Sequence, residues 1–166
     1  MKIKGNLGEE IEKIKNLLSN RKYDEVIDAT KPIKEKKDYT SNKEGYFIEY
    51  ALGKALYERK KVLPLEEINE VINLFNESVK LNPDFTHGYF SLGYAYMDKG
   101  VITGSVKDVE SAAENFEKVV KTRPELAGGY NPAINHLKEM CSKFQKKKEI
   151  LGLQKLENLL DTSTKN

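Results

Sequence analysis

The stretch YFSLGYAY at residues 89–96 decides the fold. It contains a Leu-Gly pair, with Tyr89 three residues before Leu92 and Tyr96 three residues after Gly93. Glycine inside a helix costs roughly 1 kcal/mol relative to alanine, so we expect a neighbouring helix to pack closely against Gly93. The pattern continues downstream through three further residues, which are Ala112, Phe116 and Pro124.

The same pattern occurs earlier in the chain, around the pair Leu52 and Gly53, and continues through Val71, Phe75 and Pro83. The two Leu-Gly pairs are 40 residues apart and the two prolines are 41 residues apart. A pattern that returns at a nearly constant interval indicates a structural repeat. We expect a close helix contact at Gly53 for the same reason as at Gly93.

Apolar residues recur at helical spacing in the second half of each copy. In the earlier copy they are Ile68, Val71, Ile72, Phe75 and Val79. In the later copy they are Val109, Ala112, Ala113, Phe116, Val119 and Val120. Each set predicts a helix with one buried face, so each repeat is expected to contain two helices.

This arrangement resembles the tetratricopeptide repeat, whose pattern is W-x2-L-G-x2-Y followed by A-x3-F and a proline, with tyrosine here in place of tryptophan. The resemblance implies an all-α fold, a right-handed α-α superhelix of about three to four helix pairs with a C-terminal capping helix. We expect one domain over residues 1–160 and a disordered tail at 161–166. The helix pairs are expected at about 7–37, 45–81, 85–122 and 130–160. The family period is about 34 residues, and we assign the excess to long inter-helix turns at 59–66 and 100–107.

Local signals predict where helices begin and bend. Ser41 and the glutamate three residues after it resemble a capping box, and Asp84 and Asp108 are good N-cap residues. Pro32 lies inside an apparent helix, where it removes a backbone hydrogen bond and clashes with the preceding turn. We therefore expect a kink or a helix end at Pro32.

The resemblance also implies where a partner binds, because the first helix of each pair lines the concave surface of the superhelix. Three rows of residues are expected there: Phe47, Tyr50, Lys54, Tyr57; then His87, Phe90, Tyr94, Met97; and last Asn131, Asn135, Lys138. They predict a groove with an aromatic floor and a more polar C-terminal end, with Tyr50, Phe90 and Tyr94 as the strongest candidates. The alternative stays open that some of these aromatic residues pack in the core, as such residues at helical spacing often do.

Apolar residues in the two long turns offer a second surface. They are Val62, Leu63, Leu65, Val101 and Ile102. These side chains either form a second contact surface or fold back onto their own repeats, and folding back is the more common outcome for apolar groups.

Charge and composition narrow the function. The chain has 28 Lys and Arg against 26 Asp and Glu, a net charge of +2, which gives no general attraction to nucleic acid or membranes. The basic run at residues 143–148 leaves RNA binding as a less favoured alternative. No apolar run approaches the roughly 20 residues that span a bilayer, and no secretory signal pattern occurs at the start. We expect a cytoplasmic protein with no membrane association.

Residues that carry catalysis or bind metals do not occur in a recognisable pattern. His87 and His136 lack a second ligand at metal-binding spacing, and Cys141 falls on an apolar helix stripe. Gly100 and Gly104 lack the Lys-Ser or Lys-Thr pair of a phosphate loop. We expect no enzyme, cofactor or metal, and an adaptor or assembly factor that binds a peptide or helix of another protein. A self-associating scaffold is the main alternative.

Overall fold

The computed structural model describes residues 7–36 and 38–125 and, beyond these, only Leu137, Glu139, Met140 and Lys143. The regular elements of this part are all helical, so the all-α prediction is confirmed for it. The α helices are α1 (Leu7–Ser19), α2 (Tyr23–Lys36), α3 (Tyr46–Glu58), α4 (Leu65–Leu81), α5 (Thr86–Thr103) and α6 (Val106–Thr122). A short 3-10 helix, Asp38–Ser41, lies between α2 and α3. None of the described helices is both long and apolar enough to cross a lipid bilayer.

Successive helices pack against each other, as in a helical repeat. Helix α2 packs on α1 and α3, α3 packs on α4, and α1 also contacts α3. The outer ends of these helix pairs lie within one residue of the first three pairs expected from the sequence. The expected fourth pair at 130–160 falls outside the described residues except for four helical positions, and the tail at 161–166 falls outside them entirely.

The chain divides into two compact units between Leu92 and Gly93, inside α5. A core cluster of the first unit is formed by α1 to α4 and the 3-10 helix, and its buried residues are Ile11, Ile14, Val26, Ile27, Ile33, Tyr39, Ile48, Ala51, Leu52, Ala55 and Leu74. In the second unit α6 buries one face, which includes Val109, Ala112, Phe116 and Val119. Burial of such faces stabilises each unit by roughly 25 cal/mol per Å² of apolar surface.

Each Leu-Gly pair places its glycine against a phenylalanine of the following helix. A β-carbon built on Gly53 would lie 2.8 Å from Cε1 of Phe75, and one built on Gly93 would lie 2.6 Å from Cε1 of Phe116. Carbon atoms in contact prefer a separation of about 3.5–4.0 Å, so only glycine allows the two helices to approach this closely. The predicted close contact is confirmed at both glycines, and it recurs in both copies of the repeat.

The two copies differ in how they connect their helices. Residues 59–64 form a turn between α3 and α4, close to the long turn expected there. Helix α5, in contrast, continues to Thr103, and only Gly104 and Ser105 separate it from α6. Gly104 has a φ of 65°, which glycine adopts without strain. The prediction of a long turn at 100–107 is therefore wrong, because the extra residues extend the helix.

Two predicted N-caps are also wrong. Helix α6 is capped by Ser105, whose Oγ accepts a hydrogen bond from the backbone N–H of Asp108 at 3.3 Å. Asp108 thus lies inside the helix. The Ser41 hydroxyl donates to the carbonyl oxygen of Asp38 at 2.8 Å within the 3-10 helix, and α3 begins only at Tyr46. Ser41 therefore stabilises the 3-10 helix and does not cap α3.

The N-cap predicted at Asp84 is wrong as well, and the helix end that Pro32 allowed does not occur. The backbone N–H of Asp84 donates to Oδ1 of Asn82 at 3.2 Å, which forms a side-chain turn, and α5 begins two residues later at Thr86. Helix α2 runs through Pro32 to Lys36, so it does not end at the proline. Pro32 is exposed, and water can therefore satisfy the carbonyl group that the proline leaves without a backbone donor.

Candidate functional site

Aromatic side chains of α3 and the start of α5 form a continuous row in the first unit, with a lysine of α1 at one end. Lys15 Nζ lies 5.6 Å from the ring centroid of Phe47, and the Phe47 ring lies 5.8 Å from that of Tyr50. Tyr50 meets Phe85 edge to face at 4.8 Å, and Phe85 stacks on His87 at 5.9 Å. Aromatic pairs at such distances add about 0.5–1.5 kcal/mol each beyond their burial. We call these five residues the aromatic strip.

The turn between α4 and α5 positions Phe85. Its backbone N–H donates to the carbonyl oxygen of Asn82 at 3.1 Å, and its own carbonyl oxygen accepts from the N–H of Gly88 at 3.0 Å. A β-carbon on Gly88 would lie 2.5 Å from Cγ1 of Val79, so glycine lets α5 begin close against α4. These contacts hold the Phe85 ring against Tyr50.

Tyr50 is the buried centre of the strip, with 7% of its surface exposed. Its ring also packs on Phe75 at 5.9 Å, and its hydroxyl forms a hydrogen bond with Ser91. Burial raises the pKa of Tyr50 to about 12, with the Ser91 hydrogen bond acting against this rise and the Glu58 carboxylate adding to it. The Tyr50 hydroxyl is therefore neutral at physiological pH, and the residue anchors the strip to the core.

Polar groups at the C-terminal end of α3 border the strip. Lys54 pairs with Glu58 one turn later, and the Tyr23 hydroxyl donates to Glu58 at 2.5 Å. Burial opposes ionisation of Glu58, but the hydrogen bonds from Lys54 and Tyr23 outweigh it and hold the pKa of Glu58 below its ordinary value. The hydrogen bond to Glu58, together with burial, raises the pKa of Tyr23. The border thus presents an ion pair and little net charge.

The structure places the candidate residues from the sequence in different environments. Tyr50 and Met97 are buried, at 7% and 3% exposed, so their side chains pack in the interior, as the alternative interpretation allowed. The half-buried candidates are Phe47, Lys54, Tyr57, Phe90 and Tyr94, and His87 is exposed. Asn131, Asn135 and Lys138 lie outside the described residues. The role of these residues in partner binding stays a prediction.

Three of the candidates come together in the first unit. Phe47 and His87 are joined to Tyr50 through the ring contacts of the strip. Tyr94 belongs to the second unit, where its ring packs edge to face on Phe116 at 5.4 Å and burial raises its pKa. The strip is thus defined within one compact unit.

Sequence reasoning missed Lys15, Tyr46 and Phe85. The Tyr46 and Phe85 rings lie 4.7 Å apart, beside the strip. Phe85 directly precedes α5, outside the helical phase that selected the other candidates, and its one available signal was an aromatic residue after an Asn-Pro-Asp turn. Lys15 carried no signal, because its contact with Phe47 arises only when α1 packs on α3.

Within residues 7–36 and 38–125 and the four isolated positions, no group of three or more His, Cys, Asp or Glu side chains could hold a metal ion. No protein-family model matches the chain, and no curated protein sequence matches it. Function is therefore inferred from the fold and from the contacts described above.

Proposed function

We propose that this chain is a protein-interaction module of the tetratricopeptide type, an adaptor or assembly factor that binds a helix or extended peptide of another protein. The aromatic strip carries the proposal, because it crosses the first helices of consecutive pairs and keeps half-buried and exposed rings at the surface. Aromatic residues are enriched in such interfaces and dominate their energetics. The glycine–phenylalanine contact found in both copies supports the repeat type.

The strip offers complementary contacts to a partner helix. Phe47 and Phe85 provide apolar surface, the exposed His87 ring provides a hydrogen-bonding group, and the ion pair of Lys15 with Glu12 provides polar groups at one end. The Phe47 and Phe85 rings both contact the buried Tyr50 ring and are themselves half-buried. The apolar face of an amphipathic helix would therefore pack on these two rings.

The proposal assigns the chain no catalytic role and no cofactor, because affinity comes from apolar contact and hydrogen bonds alone. We also propose that the protein is located in the cytoplasm. The single cysteine of the chain fits a reducing compartment, where disulfides are rare. The partner is then another cytoplasmic protein.

The test is a pull-down from a lysate of the native organism with the wild-type chain and with the double variant Phe47→Ala, His87→Ala. Each retained protein is purified, and its affinity for both chains is measured by titration calorimetry. Truncation of a central interface residue costs about 2 kcal/mol or more. We therefore expect the double variant to bind the partner at least about tenfold more weakly.

Tyr96→Ala is the matched control, because it removes a half-buried ring from α5 that belongs neither to the strip nor to its polar border. Circular dichroism must show the same helicity for all three chains. The proposal fails if the partner binds the double variant as tightly as the wild type. It also fails if Tyr96→Ala weakens binding to the same extent.

A further inference from the structure

The turn at residues 59–64 presents an apolar tip to solvent. Four of the five apolar residues predicted in the inter-helix turns are exposed, namely Val62 (80%), Leu65 (38%), Val101 (57%) and Ile102 (49%). Leu63 is only 5% exposed, so it alone folds back, and it anchors the turn beside Val62. An exposed group that its neighbour holds in place needs little further ordering when it binds.

The same turn carries three cations. Lys60 pairs with Glu67 at 2.6 Å. Arg59 and Lys61 are both exposed, and neither side chain forms an ion pair with another described residue. The turn therefore combines an apolar tip with two positive charges that remain available to a binding partner.

An acidic cavity begins directly after this turn. It has a volume of about 470 Å³ and is lined on α4 by Glu66, Glu70 and Glu77 and on the neighbouring helices by Lys34 and Glu49. The cavity is wide open to solvent, so a protruding turn can enter it. Glu66 of the lining is the second residue of α4, and Lys60 of the turn reaches the next residue, Glu67, at 2.6 Å, so the turn lies beside the rim of the cavity.

The lining of the cavity is negatively charged. Lys34 pairs with Glu49 at 2.6 Å, and this pair is neutral as a whole. The three carboxylates of α4 remain, and within the described residues only Glu77 has an ion pair, with Lys80 at 3.3 Å. The two carboxylates closest to the turn thus attract a cation from outside the unit.

We propose that a second copy of this chain binds here, with the turn at 59–64 of each copy entering the acidic cavity of the other around a two-fold axis. Arg59 and Lys61 would then face Glu66 and Glu70 of the other copy. A surface whose positive and negative halves lie side by side is its own complement after a two-fold rotation. A foreign acidic protein would satisfy only the turn, and a foreign basic protein only the cavity, whereas a second copy satisfies both.

Analytical ultracentrifugation at low and high ionic strength tests the proposal. We expect a dimer that dissociates on dilution and that weakens in high salt, because salt screens exposed charges. Two charge-reversal variants are then compared, Arg59→Glu with Lys61→Glu, and Glu66→Lys with Glu70→Lys. Each variant alone should be monomeric, since like charges would meet at both contacts. An equimolar mixture of the two should form a heterodimer, since opposite charges then meet at both contacts.

The matched control is Glu110→Lys with Glu114→Lys, which has the same spacing and charge change but lies on α6. It should dimerise as the wild type does, and so should Phe47→Ala, His87→Ala, because the strip is a separate surface. If a charge reversal lowers helicity, Val62→Ser tests the same contact, because it removes the exposed apolar side chain of the turn. This variant should also be monomeric. The proposal is overturned if the wild type is monomeric at every concentration, if either reversal dimerises like the wild type, or if the mixture stays monomeric.

Discussion

At Gly53, Phe75 occupies the space that a β-carbon would need, with its Cε1 2.8 Å from the position of the added atom. The Cβ of Leu74 would lie at 3.2 Å. Both side chains lie in the packed interior, where they can move little to make room for another atom. We expect Gly53→Ala to lower the free energy of unfolding by about 1–3 kcal/mol through overpacking. Alanine recovers roughly 1 kcal/mol of this loss as a helix former, so the net loss should be up to about 2 kcal/mol, and chemical denaturation measures it.

Phe75→Leu is the control, because it removes the ring edge that meets the new methyl group. In the double variant the methyl group has space, so the two substitutions together should cost less than the sum of their separate effects. Strictly additive costs would contradict the steric explanation. The same cycle at Gly93 and Phe116 shows whether the second unit depends on the same contact.

Tyr50 should make the free energy of unfolding fall at alkaline pH. Burial raises its pKa from 10.0 to about 12, so the folded state keeps a proton that the unfolded state loses. The stabilisation is therefore complete below pH 10 and is lost as the pH rises to about 12. We expect the difference in unfolding free energy between the wild type and Tyr50→Phe to fall across this window. Urea denaturation at a series of pH values measures it, and a difference that stays constant would argue against the assignment.

Individual residues were predictable where the backbone itself restricts their identity. A glycine inside an apolar helix signals a close approach whatever the neighbour is, so Gly53 and Gly93 could be assigned from the sequence. Lys15 and Phe85 could not, because the spacing of residues along one helix does not show what packs against it. Tyr50 had the expected spacing, but spacing does not distinguish a groove from the interior.

At the scale of single helices, Ser105 determines where α6 begins. Its Oγ accepts a hydrogen bond from the N–H of Asp108, a donor that would otherwise have no partner in the first turn. We expect Ser105→Ala to lower the free energy of unfolding by about 0.5–2 kcal/mol. Thermal and urea denaturation followed by circular dichroism measure this loss.

Ser111→Ala is the matched control, since it makes the same substitution within α6. Alanine is the better helix former there by up to about 0.7 kcal/mol, so this variant should be as stable as the wild type or more so. Equal losses at the two serines would show that Ser105 has no special role as a cap.

The type of each helix followed from its apolar periodicity, whereas some of its limits did not. Helix α4 and helix α6 bury the faces that their sequences predict. The end of α5 was placed too early, because the residues in excess of the repeat period were assigned to the turn and not to the helix. Asp108 and Ser105 are both good caps by residue type, and only the course of the backbone decides between them.

At the scale of the whole molecule, the charge balance predicts weak interaction with nucleic acid. The chain has 28 basic and 26 acidic residues, so few counterions would be released on binding to a phosphate backbone. We expect the chain to pass through an RNA column at physiological ionic strength. Retention that falls steeply as salt increases would favour the alternative of an RNA-binding repeat protein.

The two copies are longer by a similar amount than the period of about 34 residues of the tetratricopeptide repeat, which the sequence resembles, and they accommodate the extra residues in different ways. One forms the turn at 59–64, and the other extends α5 to Thr103. In both copies, the glycine–phenylalanine contact lies within the paired helices, outside the connecting segment in which the copies differ. Insertions and deletions at this point can therefore accumulate during evolution without disturbing the packing of a helix pair. Homologous chains are expected to diverge in length between their paired helices while they retain the glycine and the phenylalanine.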